Sequence, residues 1–221
     1  MGVPFEDLPY LTTQAAVRSS GSATASEAGN AAASLLSYMG QLVDQRILAP
    51  KEDLISLLVT AQLNLGHLTK EDVSQIAFLM LVAGNATMVS MIALGIVTAL
   101  QHPEQLHLLK SDPKKWSPPF VEELCRYHTA SALATKRVAK EDVMYGGNTI
   151  RKGEGIIAAT MSGNRDEDVF PDPDNFDMRR ERGSEEALGY GWGEHRCIAE
   201  WLARAELEIV FGKVQSKYRG C

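Results

Sequence analysis

Apolar positions recur at helical spacing over most of the chain. Between Ser26 and Leu48, the residues Leu35, Leu36, Met39, Leu42, Val43 and Ile47 fall on one face, predicting an amphipathic helix that Pro50 ends. A shorter helix with Leu54, Ile55, Leu57, Leu58 and Leu63 follows, up to a turn at Gly66-His67, where His67 reads as a solvated residue without a role. Thr69, with Asp72 three positions on, starts the next helix by placing an acid near the positive end of its dipole. That helix runs to about His102, and from Ile76 to Leu100 it carries no charged side chain. About 20 apolar residues can span a bilayer. Here Asn85, Thr87, Ser90 and Thr98 interrupt the run, and its flanks lack a Lys/Arg cluster or aromatic belt. The pattern therefore favours a helix buried in a protein interior over a membrane span. Gly84 sits in its middle at a cost of about 1 kcal/mol relative to alanine. Such a glycine marks a close approach or local bulge at a functional site, or helix–helix packing through small residues.

Elsewhere the pattern is shorter in range. Residues 1–18, with Pro4 and Pro9, read as an irregular lead-in, and 19–25 as a flexible loop. Two helices are predicted over Pro103–Leu109 and Phe120–Tyr127, separated by a loop from Pro113 to Pro119. From Ala134 to Ile157 the pattern alternates and breaks at Gly146-Gly147-Asn148 and Lys152-Gly153, predicting short strands in one small sheet. Residues 164–173 form a Pro/Asp-rich meander, and a last helix follows Cys197. The fold class is mainly α with a small β region, in one domain over 1–221. Its parts are lead-in helices (1–68), the long helix (69–102), a middle region (103–187), and a loop with its following helix (188–212).

Composition narrows the function classes. Apolar residues make up 45% and charged ones 23% of 221 residues, ordinary for a soluble globular protein. A formal net charge of -6 leaves no basic excess for nucleic-acid phosphates. Cys125, Cys197 and Cys221 make no paired framework, which suits a reducing compartment. Residues 1–10 lack the apolar run of a signal peptide.

The candidate chemistry lies in Leu188-Gly189-Tyr190-Gly191-Trp192-Gly193-Glu194-His195-Arg196-Cys197-Ile198-Ala199-Glu200. Glycines alternating with aromatics allow backbone angles closed to other residues. Cys197 falls where this loop becomes a helix, and a helix N-terminus favours thiolate over thiol. A thiolate there suits a soft or borderline metal; the bland alternative is a buried structural cysteine. Upstream, Glu123 and Arg126 are three apart on one helix face, which alone is a surface pair contributing a few tenths of a kcal/mol.

The Gly-x-Gly-x-His-x-Cys-x-Ala spacing resembles the haem-binding loop of the cytochromes P-450, with Tyr190 where that superfamily usually has Phe. Ala83-Gly84-x-x-Thr87, Glu123-x-x-Arg126 and Phe176-Asp177-x-x-Arg180 are similar to its other motifs, in the same order. The resemblance implies a partial P-450 fold, a fragment without the family's N-terminal part and its last strands. It implies haem b on Cys197, with Ala83, Gly84, Tyr190, Gly191 and Gly193 beside the cofactor and His195 and Arg137 on its propionates. It also implies a structural network of Glu123, Arg126 and Arg180. Alone, Arg137 reads as a surface charge beside Lys136.

Monooxygenases of the superfamily carry an acid just before the threonine, and here that residue is Ala86. Ala-Gly-Asn-Ala-Thr-Met, the segment from Glu122 to Ala134, and Gly-Glu-His-Arg-Cys-Ile-Ala-Glu all resemble the fungal nitric oxide reductase branch. That branch implies nitric oxide and NADH or NADPH as reactants, hydride delivered directly, nitrous oxide as product, and no redox-partner protein. It assigns Thr87 and Ser131 to a distal proton path, whereas Ser131 alone could as well be a satisfied turn hydroxyl. A soluble monomer in the cytoplasm or mitochondrion is expected. The alternatives are a partner-dependent monooxygenase and a truncated non-catalytic remnant.

Overall fold

The computed structural model describes residues 1–131, 135–181 and 187–217. The sequence pattern suggests one domain, but the chain divides into two compact units, Met1–Thr87 and Met88–Cys221.

In the first unit, α1 (Leu8–Ser19) follows a 3-10 turn at Phe5–Asp7, so the lead-in is helical rather than irregular. Pro9 falls in the first turn of α1, where its missing N–H would have had no partner. Thr24 caps α2 (Ala25–Leu48) in a reciprocal box with Glu27, which starts the helix one residue before the predicted Ser26. Its buried face holds Leu35, Met39, Leu42 and Val43, with Arg46 where the pattern placed Ile47; Ile47 is exposed. Asp53 caps α3 (Leu54–Leu58), which runs into a π-helical turn at Val59–Leu63. Leu11, Leu35, Met39, Ile55, Val59, Val73 and Ala77 share the core.

The long helix α4 (Lys70–Gln101) begins at a second reciprocal cap, the Thr69 N–H and hydroxyl reaching Asp72 at 2.8 and 2.6 Å. It is α-helical throughout, with no bulge at Gly84, and a Cβ added at Gly84 would meet nothing within 4 Å. The close approach occurs one turn series later, at Gly95. A Cβ there would overlap the Phe211 ring and lie 2.8 Å from a Leu124 methyl carbon. The buried-helix expectation is corrected as well. Only 11% of the most apolar stretch is buried, and Leu79, Val89, Val97 and Leu100 are exposed. The helix is long and apolar enough to cross a membrane by length and composition. Its apolar positions lie on every face, and each unit covers one stripe: Val73 and Ala77 in the first, Met91, Gly95 and Ala99 in the second.

In the second unit, α5 (Pro103–Ser111) leads to α6 (Pro113–His128). The expected loop at Pro113–Pro119 is the first half of α6. Pro113 opens it, Asp112 accepts the Lys115 N–H, and the buried Ser117 hydroxyl donates to the Pro113 carbonyl at 2.5 Å. Proline fixes φ at a helical value, and Pro118 and Pro119 lie inside the helix while withholding two donors from it. The strands form two separate antiparallel ladders rather than one sheet. Strand β1 (Thr135–Val138) pairs with β4 (Gly155–Ala158), and β2 (Val143–Tyr145) with β3 (Asn148–Ile150). A short α7 (Thr160–Gly163) precedes the meander, and α8 (Glu200–Lys217) closes the described chain. Phe120 meets Phe176 and Phe211 edge-on in a core shared with Leu109, Leu124, Met178 and Leu207.

Candidate cofactor-ligand loop and its anchors

Two 3-10 turns, Leu188–Tyr190 and Gly193–His195, carry the chain to Cys197. Gly191 and Gly193 have φ of +80° and +78°, and the hydrogen bonds Gly191 N–H to Leu188 and Arg196 N–H to Gly193 close the turns at 3.0 Å each. The Cys197 N–H donates to the Tyr190 carbonyl at 2.9 Å, which folds the loop back on itself. Cys197 is free and exposed; the expected alternative of a buried structural thiol describes Cys125 instead. Cys221 lies outside the described residues.

Three contacts fasten this loop to α6 and α7. Gly189 presses on the end of α6, where a Cβ would come within 2.9 Å of the Cys125 carbonyl oxygen. The Cys125 thiol donates to the Tyr190 hydroxyl at 3.4 Å. The Leu188 N–H donates to the Asn164 side-chain oxygen at 2.7 Å. Burial, and then the neighbouring Cys125, push the Tyr190 phenol well above its ordinary pKa, so it stays protonated.

Beyond Cys197, charge is concentrated at the start of α8. The buried Glu200 carboxylate accepts from Arg196 at 2.5 and 2.7 Å and from Arg204 at 3.0 and 2.7 Å. Arg204 also pairs with Glu122 of α6 and lies 4.7 Å from the Tyr190 ring centre. Charge-assisted bonds of this kind are short and strong, and this clamp spans the ligand position from one residue before it to seven after.

Behind the loop, Glu123 and Arg126 form a fully buried bidentate pair at 2.7 and 2.9 Å. Arg180 adds a third bond to Glu123 at 3.3 Å. Arg126 also donates to the carbonyls of Asn164, Pro173 and Asn175, and Arg180 to those of Pro171, Asp172 and Asn175. Carbonyls of a meander with no ladder of its own thus find partners on two guanidinium forks.

The other sequence-derived residues are placed less closely. His195 ends the second turn and is exposed. Arg137, on β1, is exposed and donates to the Lys136 carbonyl at 3.0 Å. The Ser131 carbonyl accepts from Thr160 at 3.3 Å. Ala83, Gly84 and Thr87 lie on α4 in the first unit, and the Thr87 hydroxyl donates to the Ala83 carbonyl at 2.7 Å.

The sequence pattern of the family described as "Cytochrome P450" matches residues 118–219. Cytochrome P450 55A3 of Fusarium lichenicola is 64% identical over 211 residues, covering 96% of this chain and 52% of that protein. Nocardicin C N-oxygenase of Nocardia uniformis subsp. tsuyamanensis is 38% identical, covering 100% and 55%. Among solved structures, cytochrome P450 MoxA from Nonomuraea recticatena superposes with a TM-score of 0.85 at 38% identity, covering 98% of this chain and 53% of that one. The chain belongs to the cytochrome P450 family. It spans about half the length of the curated relatives it matches, and its architecture is a partial P450 fold.

The family's haem-thiolate cofactor fits the donor set. Among the described residues no three His, Cys, Asp or Glu side chains gather to hold a metal. A lone exposed cysteine suits a metal whose other donors come with it, as in a porphyrin. Around Cys197, Trp192, Ile198 and Trp201 expose 71%, 88% and 80% of their surface, an apolar setting suited to a flat macrocycle.

Sequence reading missed Asn164, Thr129, Glu200 and Arg204. The i, i+4 spacing of Arg196, Glu200 and Arg204 was a readable signal. Asn164 offered none, because its partners lie 24 to 38 residues away in the chain.

Proposed function

We propose that this P450 is a haem-thiolate nitric oxide reductase: two nitric oxide molecules, one NAD(P)H and one proton give nitrous oxide, NAD(P)⁺ and water. The observation that carries this is Ala86 directly before Thr87, since a methyl group cannot relay protons to split an O–O bond. The resemblance of the flanking segments to the reductase branch supports the same reading. Bound haem would supply the redox chemistry, with the protein holding and orienting it.

Cys197 would hold the iron, and His195 and Arg137 would offer donors to the propionates. The Thr87 hydroxyl donates to the Ala83 carbonyl at 2.7 Å, which leaves its oxygen available as an acceptor. To donate forward, Thr87 must release that carbonyl, a rotamer change confined to its own turn. Ser131 supplies the second hydroxyl of the path, and Ala83 and Gly84, both exposed, leave the α4 backbone open to a flat ligand.

Anaerobic protein loaded with haem and given nitric oxide and NADH alone should release nitrous oxide, detected by gas chromatography. Cys197→Ala should abolish this together with the thiolate band of the ferrous carbon-monoxide spectrum. Similarity to an N-oxygenase favours a second reading, a partner-dependent monooxygenase. Hydroxylated product appearing only with an added electron-transfer protein would support that one. Failure to take up haem would leave a non-catalytic remnant.

A further inference from the structure

The loop that carries Cys197 is tied to the most deeply buried charges of its unit through one side chain. Asn164 is 0% exposed, and each of its polar groups is engaged. Its backbone carbonyl accepts from Arg126 at 2.8 Å, its amide nitrogen donates to the Thr129 hydroxyl at 2.7 Å, and its side-chain oxygen accepts the Leu188 N–H at 2.7 Å. Thr129 in turn donates to the Arg126 carbonyl at 2.9 Å. It caps α6 in the left-handed region at φ 48°, which fixes the direction of its hydroxyl. From Leu188 the path continues within the loop, its carbonyl holding Gly191 and the Tyr190 carbonyl holding Cys197.

We propose that Asn164 is the positioning residue of the ligand loop, carrying the rigidity of the Glu123–Arg126 pair into the turn that sets the Cys197 backbone. The role requires a donor and an acceptor on one short, neutral side chain. Aspartate lacks the donor, leucine lacks both, and glutamine is one methylene too long for a site with no free volume. The Gly189 and Tyr190 contacts with Cys125 restrain the loop by packing and a weak thiol bond. The bond to Leu188 is strong and directional. In its relation to the ligand, the assignment rests on the haem-thiolate function proposed above.

The test uses the full chain and two readouts, amide exchange at Leu188 and Gly191 and the carbon-monoxide spectrum of haem-loaded protein. Asn164→Ala should speed exchange at Leu188 by about tenfold, the worth of one good hydrogen bond, and should lower the thiolate band while bound haem stays constant. Thr129→Gly removes the hydroxyl that accepts from Asn164, together with that hydroxyl's own bond to the Arg126 carbonyl, and suits the left-handed backbone; it should shift both readouts the same way by less, and it decides the matter if Asn164→Ala does not fold. Leu109→Ala, in the same core and away from this path, should leave the folded protein's band and Leu188 exchange native. Native Leu188 exchange and a native band in Asn164→Ala, or in Thr129→Gly where Asn164→Ala does not fold, would overturn the proposal, as would a Leu109→Ala band loss equal to that of Asn164→Ala. If the parent chain shows no thiolate band, the haem assignment fails by itself and Leu188 exchange still judges Asn164.

Discussion

Among the described residues each unit buries one arginine against a carboxylate, and the two do different work. Arg46, 1% exposed, donates to Asp53 at 2.5 Å and to the Gly2 carbonyl at 2.6 Å. It joins the chain's first residues to α2 and to the start of α3, and nothing in the candidate site touches it. Arg126, 2% exposed, donates twice to Glu123 and holds three carbonyls drawn from α7's end and the meander. The chemistry is shared, a desolvated cation tolerated because it is paired with a carboxylate and hydrogen-bonded to backbone carbonyls. Connectivity separates them: one closes a local corner, the other gathers segments up to 49 residues away and reaches the ligand loop through Asn164.

Removing each arginine should expose that difference. Arg126→Ala leaves the buried Glu123 with Arg180 and the Asp177 N–H but without its bidentate partner, and breaking a buried pair costs about 3–5 kcal/mol. Against total stabilities of about 5–15 kcal/mol, soluble yield and the urea midpoint should collapse, and haem uptake with them. Arg46→Ala should cost less, about 1.5–3 kcal/mol by the loss of bonds to a charged group, because Asp53 keeps the Ser56 N–H at 2.8 Å. Its urea midpoint should fall while haem uptake per folded molecule stays unchanged. A matching loss of uptake would erase the distinction.

Acid should part the units more gently. His128 accepts or donates to the buried Thr98 hydroxyl at 2.7 Å. Burial, with Arg165 second, holds its pKa below the ordinary value. Its contribution is complete above the unfolded pKa of about 6.5 and declines as pH falls from there toward the folded value. For Asp53, burial opposes ionisation, but the Ser56 N–H and Arg46 outweigh it and the pKa is lowered. That contribution persists above the unfolded pKa of about 3.9 and is lost only as pH drops below it. Trp116, Trp192 and Trp201 all belong to the second unit, so tryptophan fluorescence reads that unit alone. Weakening should appear there near pH 6 and in first-unit amide exchange nearer pH 4; the reverse order would contradict the assignment.

The smallest effect is Gly84→Ala. With open space at the Cβ and a regular helix around it, alanine should stabilise by up to about 1 kcal/mol, seen as a higher urea midpoint. If Gly84 borders the haem, uptake should fall even as stability rises.

Much of the fold was legible in advance where the signal is local. The start of α4 followed from Thr69 and Asp72, the end of α2 from Pro50, and the Glu123–Arg126 pairing from spacing on one helix. The Pro113–Pro119 segment misled because prolines read as breakers, whereas Pro113 opens the helix behind a capping aspartate and Pro118 and Pro119 lie within it. Gly84 and Gly95 look alike in the chain; the Phe211 ring and a Leu124 methyl distinguish them.

The order of residues alone determined the helical periods, the capping boxes and a cysteine at a loop-to-helix junction, because each depends on neighbours within a turn or two. Tertiary structure decided which glycine lets helices meet, which arginine is buried, and that Asn164 fastens the loop. Those outcomes depend on groups dozens of residues apart competing for the same few unpaired donors and carbonyls, and no period in the chain records which of them meet.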